Sequence, residues 1–502
     1  MGRFLEVLLE TRYPDTNFEV VPVAITAINS HVILPIARDC AKRDGDMWLI
    51  YMGNNEMVGP FGAGTVFGEK APGLTVVRTS LLLKSTRIGQ LIADMIALAR
   101  GGSGEPEAWG GIEMFSKNLL RHDDPARLKA YENFRGNLED IIREGEKAGV
   151  PVVLSTVVSN LRNCSPFSSL HSTHLTGEDL SAWDLLYQNG LKLEKTGSLE
   201  AALDDYLKAA AIDAGFAELQ FRIGSCYLKL GDNDLAMEAF NRARDLDALA
   251  VRADTRINRI IMDAAAKHVD ASVLGVDAEK ALANQASYGI PGKELFYEHV
   301  HFTLEGNYRL ARILAGRVGE LLPPSIVENH RENTSEYEYQ ACVRQLAITL
   351  WDQKRVWDVA LGRISVAPFI SQSSHPSNVQ YCKDRMLEVD SRTTSATPAR
   401  DQKSYEDALR RSPEDTLIRW NYAQFFEMTG ALPEAINQGK EICTLLPHAP
   451  WPHYFVGSLL AKEDRFKEAV EYLRKALEID PNQSFAKDEL DRILAAYPSL
   501  RK

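Results

Sequence analysis

At 502 residues, 45% hydrophobic and 25% charged, the chain is too long for one ordinary core and too apolar to stay disordered, so two or three globular domains are expected. A formal charge of -12 and the lack of a basic stripe along the sequence argue against nucleic acid as the main partner, and none is expected. Six cysteines (Cys40, Cys164, Cys226, Cys342, Cys382, Cys443) without metal-type spacing exclude a zinc knuckle and a disulfide framework.

No apolar run is long enough to span a bilayer, and Met1-Gly2-Arg3-Phe4-Leu5-Glu6 lacks the layout of a signal peptide. The chain as given reads as soluble, and its compartment is not fixed. In chain order, Phe4 to Arg12 reads as an amphipathic helix ended by Tyr13-Pro14-Asp15, Phe18 to Ile25 as a β-branched run, and Asn29 to Lys42 as a helix kinked at Pro35. Trp48 to Met52 is a continuous apolar run, as in a buried parallel strand.

The loop after it carries Gly59, Gly62, Gly64, Gly68 and Gly73 without Gly-Lys-Ser/Thr, so a mobile surface loop is favoured over a phosphate cradle. Ser85 to Arg100 and Pro125 to Ala148 are predicted helices, and Val150 to Val158 a second apolar strand. This alternation argues for an α/β domain with a parallel sheet, whose ligands sit beyond the carboxyl ends of the strands. Gly53-Asn54-Asn55-Glu56 and Asn160-Leu161-Arg162-Asn163 fall at such ends.

From Trp183 to Ala248 the text becomes repetitive: Gly197 and Gly231, Ala202 and Ala236, Tyr206 and Phe240, Ala209 and Ala243 are all 34 residues apart. Pro413, Pro447 and Pro481 return the same period. This is the tetratricopeptide spacing, in which small residues sit where paired helices cross. Two repeats thus interrupt the α/β part, and two more near the C-terminus are capped by a helix over Lys487 to Ala496. The strand pattern resumes over Ala271 to Val276, Tyr339 to Leu361 is helical, and Ser371 to Pro376 and Ser391 to Pro398 read as exposed connections.

The run from Leu295 to Gly306 sets Glu298 three residues before His301, directly ahead of a helix with Leu304, Tyr308, Ala311, Ala315, Val318 and Leu322 on one face. A carboxylate beside an imidazole fixes its tautomer and stabilises the imidazolium, which suits a general base. A satisfied hydrogen-bonded pair is the plainer alternative. A third reading makes Glu298, His299 and His301 metal ligands, but no further ligand is identifiable and no metal is expected.

Gly53-Asn54-Asn55-Glu56 and Glu298-His299-Val300-His301, in this order and after strands, resemble the third and fifth sequence blocks of the SGNH (GDSL-type) hydrolases over roughly residues 1 to 165 and 268 to 320. The resemblance implies a three-layer flavodoxin-like α/β fold. It makes His301 the general base and Glu298, in place of the usual Asp, its orienting acid. Asn55 becomes the oxyanion side chain, with Gly53 at the head of its block and Ala27 standing where the family has a glycine N–H donor. Asn54, Glu56 and Asn160 are expected to line the site.

The family's nucleophile block is missing, and Ser30, Ser80 and Ser155 do not sit on the required turn, so no nucleophile is assigned. The implied domains are residues 1–180 (first hydrolase-like part, lacking its first strand), 181–250 (repeat pair), 251–322 (last hydrolase-like part), 323–400 (helical linker region) and 401–502 (C-terminal repeats). The expected function is an SGNH-type ester hydrolase, shortened at its N-terminus and without its Ser, fused to repeats that bind a protein or peptide. Its substrate would be an ester-containing small molecule, glycan or lipid, with no cofactor. The alternative is a non-catalytic repeat scaffold on a degenerate hydrolase fold.

Overall fold

The structure, a computed structural model, describes residues 1–66, 69–84, 86–87, 111–269, 273–331 and 337–501. The chain divides into two compact units, Met1–Glu332 with Val359–Lys383 and Asn333–Asp358 with Asp384–Lys502.

The first unit opens with α1 (Gly2–Arg12), which buries Phe4, Leu5, Leu8 and Leu9. Its stripe packs on the helix Leu304–Gly319, with Phe4 and Tyr308 edge to face at 6.0 Å. Then come α2 (Ser30–Cys40, with Pro35 inside), β1 (Trp48–Tyr51), α3 (Leu74–Lys84) and α4 (Pro125–Ala148). Helix α4 starts with Asp124 accepting from Ala126 N and Pro125 at its first position, where a missing N–H costs nothing. Phe134, Leu138, Ile141 and Ile142, at helical spacing, carry it across the core to α2. The sheet is completed by β2 (Val152–Ser155) and β3 (Val273–Val276), all parallel, with Leu49, Val153 and Leu274 in register.

Between β2 and β3 lie four helices, α5 (Gly177–Thr196), α6 (Leu199–Ile212), α7 (Ala217–Leu230) and α8 (Asn233–Asp245), followed by α9 (Thr255–Lys267). The 34-residue pairs explain the stacking: Ala202, Tyr206, Ala236 and Phe240 are buried at matching positions. A Cβ on Gly224 would lie 2.9 Å from the Phe240 ring, so α7 and α8 touch through a residue with no side chain. Beyond β3, α10 (Ala278–Ala283), α11 (Leu304–Gly319) and the short α12 (Pro324–Val327) close the main segment.

In the second unit α13 (Tyr339–Gln345), the start of α14 (Leu350–Ile364) and the end of α15 (His375–Ser391) precede α16 (Thr397–Arg411), α17 (Thr416–Thr429), α18 (Leu432–Leu445), α19 (Pro450–Lys462), α20 (Phe466–Ile479) and α21 (Ser484–Ala496). Ala435, Ala469 and Ala476 are fully buried where these helices cross, and Leu490 and Ile493 of α21 cover the end of the stack.

The expected three-layer flavodoxin-like α/β fold is corrected. The described chain is dominated by helices, and its strands are three segments of four residues. Phe18 to Ile25 forms no strand: no other strand offers it a backbone ladder, and Val21, Val23 and Ile25 face solvent. The glycine-rich loop is tucked in, since Gly64 N donates to Met57 O at 2.7 Å and Met57, Val58 and Ala63 are buried. Ser371 to Pro376 is likewise no exposed connection, because Gln372 and Ser374 are buried and Ser374 Oγ lies 3.1 Å from Ser165 Oγ. Most of the helix expected over Ser85 to Arg100 lies outside the described residues, as does Gly68. Replacing Gly224 by Ala should destabilise the unfolding step of the first unit by about 1–3 kcal/mol through overpacking against Phe240. Urea unfolding followed by far-UV circular dichroism checks this, and an unchanged midpoint would contradict the close crossing.

Candidate functional site

Glu298 and His301 sit on a tight loop. Phe296 and Phe302 form an antiparallel bridge with stacked rings 4.5 Å apart, and Tyr297 N donates to His301 O at 2.8 Å. Thr303 then caps α11 by accepting from Gly306 N at 3.0 Å. The bridge turns the intervening residues into a hairpin tip whose carboxylate points inward.

The Glu298 carboxylate is buried and heavily donated to. Oε2 accepts from His299 N at 2.5 Å and Val300 N at 3.2 Å, while Oε1 meets His301 Nδ1 and, at 3.3 Å, Arg363 Nη1. Burial pushes its pKa up, but the neighbouring His299 and His301 outweigh burial and hold it well below the usual carboxylate range. His299 is packed between Phe167 and Phe369 at 5.3 and 5.5 Å, and burial lowers its pKa despite Glu298 beside it. The His301 side chain is 55% exposed, so with Nδ1 on the carboxylate its Nε2 belongs to the open side of the loop.

Asn160 ties this loop to the end of β2. Its Nδ2 donates to Glu298 O at 2.9 Å, its backbone N donates to His299 O at 2.9 Å, and its Oδ1 accepts from Asn163 N at 3.0 Å. The backbone carbonyl of Asn160 accepts from the buried Arg252 Nη1 at 3.1 Å. Asn160 is thus a strut under Glu298, with its amide spent on backbone.

A second polar cluster forms where β1 ends. Glu56 is buried, and its two oxygens accept from Ser30 N at 2.8 Å and Ser30 Oγ at 2.7 Å. Asn137 Nδ2 reaches both Ser30 Oγ at 3.0 Å and His31 Nδ1 at 3.1 Å. Burial raises the Glu56 pKa to about 7, and burial together with Arg78 lowers that of His31 to about 4. Asn55 Nδ2 donates to Ile28 O at 3.1 Å, and Asn54 Oδ1 accepts from Ala253 N at 3.0 Å. Gly53 has φ 155, and a Cβ there would lie 2.8 Å from Ile257 Cγ2. Ala27 has φ 62, a left-handed conformation that costs a non-glycine residue about 1 kcal/mol.

The sequence-derived residues therefore fall into two groups, Glu298, His301 and Asn160 on one side and Ala27, Asn55 and Glu56 on the other, with Gly53 and Asn54 facing α9. Tyr51 and Phe302, with rings 6.2 Å apart, link the neighbourhoods. Among the described residues no hydrogen bond joins Asn55 to His301. Ser30 is buried with its hydroxyl on Glu56, and Ser155 is buried with its hydroxyl on Thr156 O. Ligand atoms of Glu298, His299 and His301 do lie within 4.8 Å of one another, yet both imidazole Nδ1 atoms face the one carboxylate and Arg363 holds its Oε1. A cation would have to displace a guanidinium and two N–H donors.

Sequence reasoning missed Arg363, 65 residues from Glu298, and the Ser30–Glu56 pair, 26 residues apart. No periodicity marks such partners.

Tetratricopeptide repeat family models match residues 217–248, 402–450 and 453–483. The chain carries tetratricopeptide repeats. The solved structures it resembles include YrrB, described as a TPR protein with an unusual peptide-binding site, at 13% identity and TM-score 0.18, covering 61% of this chain and 89% of that one. The TPR2AB domain of yeast Sti1 in its pHSP90 complex is another, at 12% identity and TM-score 0.18, covering 64% and 99%. The TPR domain of P58(IPK) is a third, at 14% identity and TM-score 0.20, covering 64% and 99%. At such scores these likenesses carry no weight, and the assignment rests on the family models. No curated protein matches the chain.

The expectation of an SGNH (GDSL-type) hydrolase with esterase activity on a flavodoxin-like frame is corrected here. The matching family models are repeat models, and the chain is mainly helical. Two four-residue motifs were too short to outweigh that, and the arrangement gives no support to an ester-containing small-molecule, glycan or lipid substrate.

The Glu56 carboxyl yields a pH prediction. Its folded-state pKa is raised from 4.5 to about 7, so folding favours the neutral acid. Its contribution is complete below about pH 4.5 and is lost as pH rises through about 7, an effect on the order of 3 kcal/mol. Glu56→Gln, whose amide oxygen can still accept from Ser30 N, should flatten the fall in melting temperature across that window. Thermal melts of both proteins from pH 4.5 to 8 check it, and parallel profiles would contradict it.

Proposed function

We propose that the protein binds an extended peptide segment of a partner protein through one face of its C-terminal repeats. The observation that carries this reading is a stripe of exposed apolar side chains at equivalent repeat positions. Leu417, Trp451 and Phe485 are spaced by 34 residues (451 - 417 and 485 - 451) on α17, α19 and α21, and are 47%, 37% and 69% exposed. Trp420 and Tyr454 lie three residues after Leu417 and Trp451, on the same helix faces.

Rings link the stripe from helix to helix: Trp420 to Trp451 at 4.9 Å and Tyr454 to Phe485 at 6.2 Å. A single exposed aromatic needs no explanation, but a row in register across three stacked helices is the kind of rigid, amphipathic surface on which binding energy concentrates. Farther along α17, Trp351 of α14 meets the Phe425 ring edge to face at 6.1 Å and reaches the sulfur of Met428, which stays 58% exposed. Apolar side chains on this face are therefore already used as a docking ledge within the unit.

An unbiased peptide display library selected on the full chain tests the reading. Selected peptides should lose about thirtyfold in affinity when Trp451 and Phe485 are both changed to Ala, with the fold intact by circular dichroism. Failure to select any peptide, or selected peptides indifferent to both changes, would count against it.

A second reading is favoured by the Glu298–His301 geometry: an imidazole held in one tautomer by a buried, ionised carboxylate, with its other nitrogen toward solvent, is arranged to accept a proton. Nitrogen NMR should find His301 protonated at Nδ1 in the native protein and a mixture of tautomers in Glu298→Gln. The same mixture in both proteins would remove Glu298 as the orienting group.

A further inference from the structure

We infer that a cleft in the first unit, between the N-terminal half of α4 and the first turns of α9, binds a multiply charged oxyanion of the phosphate class. The cleft holds about 460 Å³ and is lined by Arg135 of α4, by Thr255, Arg256 and Arg259 of α9, and by His122. In a chain of net charge -12, three guanidiniums on one cleft are a local reversal of sign.

The acids in the cleft do not cancel them, because each is already committed elsewhere. Asp254 takes four donors: Arg256 N at 3.1 Å and Ile257 N at 2.9 Å on one oxygen, and Arg127 Nη2 at 3.0 Å with the Tyr131 hydroxyl on the other. Asp245 accepts from Arg244 Nε at 2.9 Å and Thr255 N at 3.1 Å. Arg127, 1% exposed at the side chain, thus faces Asp254 from behind the wall, and Arg244, equally buried, is shared between Asp245 and Glu279. Arg127 Nη1 is buried there with no hydrogen-bond partner.

What faces the cleft is the surplus. Among the described residues neither Arg256 nor Arg259 has an ion-pair partner, and Arg135 reaches Asp263 only at 3.9 Å with both side chains about half exposed. Arg256 is held over the Tyr131 ring, 4.5 Å from its centroid, which fixes a planar fork at the rim without spending its N–H donors. The first-turn N–H groups of α9 are used by Asp245 and Asp254, so recognition falls to side chains. Guanidinium forks match tetrahedral oxyanions two bonds at a time, and three of them around one small volume suit a phosphate monoester or pyrophosphate better than a carboxylate.

Calorimetric titration of the full chain with pyrophosphate at low ionic strength tests this. A parallel arm sediments the protein with phosphatidylcholine vesicles with and without phosphatidic acid, separating a free anion from a lipid headgroup. Pyrophosphate binding that weakens with added salt, and that falls at least about tenfold in the Arg256→Gln/Arg259→Gln double variant while Lys147→Gln leaves it unchanged, supports the site. Vesicle binding with the same dependence on Arg256 and Arg259 assigns the site to a headgroup instead of a free anion. Both arginines are exposed, so melting temperatures should stay close to the parent's. No binding in either arm, or binding equal in the double variant and the parent, overturns the proposal.

Discussion

Close approach of paired helices is the constraint on which most of this molecule depends. At a 34-residue interval the chain places Gly or Ala where two helices cross and a large ring opposite, as with Gly224 against Phe240 and Ala469 fully buried between α19 and α20. Each pair leaves an apolar face that only the next pair can bury, so the units stack and propagate. The register that buries alanines on one side also repeats whatever stands on the other. The row of Leu417, Trp451 and Phe485 is thus a by-product of the same arithmetic that builds the core.

Local patterns were legible where the physics is local. Pro125 and the Asp124 cap mark the start of α4, and its 3.6-residue apolar spacing lies across one core from Tyr131 to Ile142, while Leu128 at the same spacing is exposed. The repeats were legible for the same reason: spacing and small residues are sequence properties. The α/β reading failed because apolar runs at Trp48 to Met52 and Val150 to Val158 do mark strands, but only four residues of each enter a ladder. A run such as Phe18 to Ile25, with the right composition and no partner, stays unpaired. Strand formation is a statement about neighbours, which one segment cannot make.

The candidate site shows the same division. The Glu298–His301 contact spans three residues and could be read directly, as could its place at the start of a helix. Its support could not: Asn160 is 138 residues away and Arg363 is 65. Asn55 and Glu56, adjacent in sequence, are expected at one mouth with His301, yet the fold spends both on the turn into α2. Buried carboxylates here serve mainly to satisfy backbone N–H groups and neighbouring cations, the general requirement for polar groups removed from water. Asp254 and Glu298, each with four donors, show it.

Hydrogen–deuterium exchange of the full chain with and without a selected peptide tests the central claim, that the exposed row on the C-terminal repeats is where the protein meets its partners. The account predicts added protection confined to α17, α19 and α21. Protection centred on the Glu298 to His301 loop, with the three helices unchanged, would contradict it.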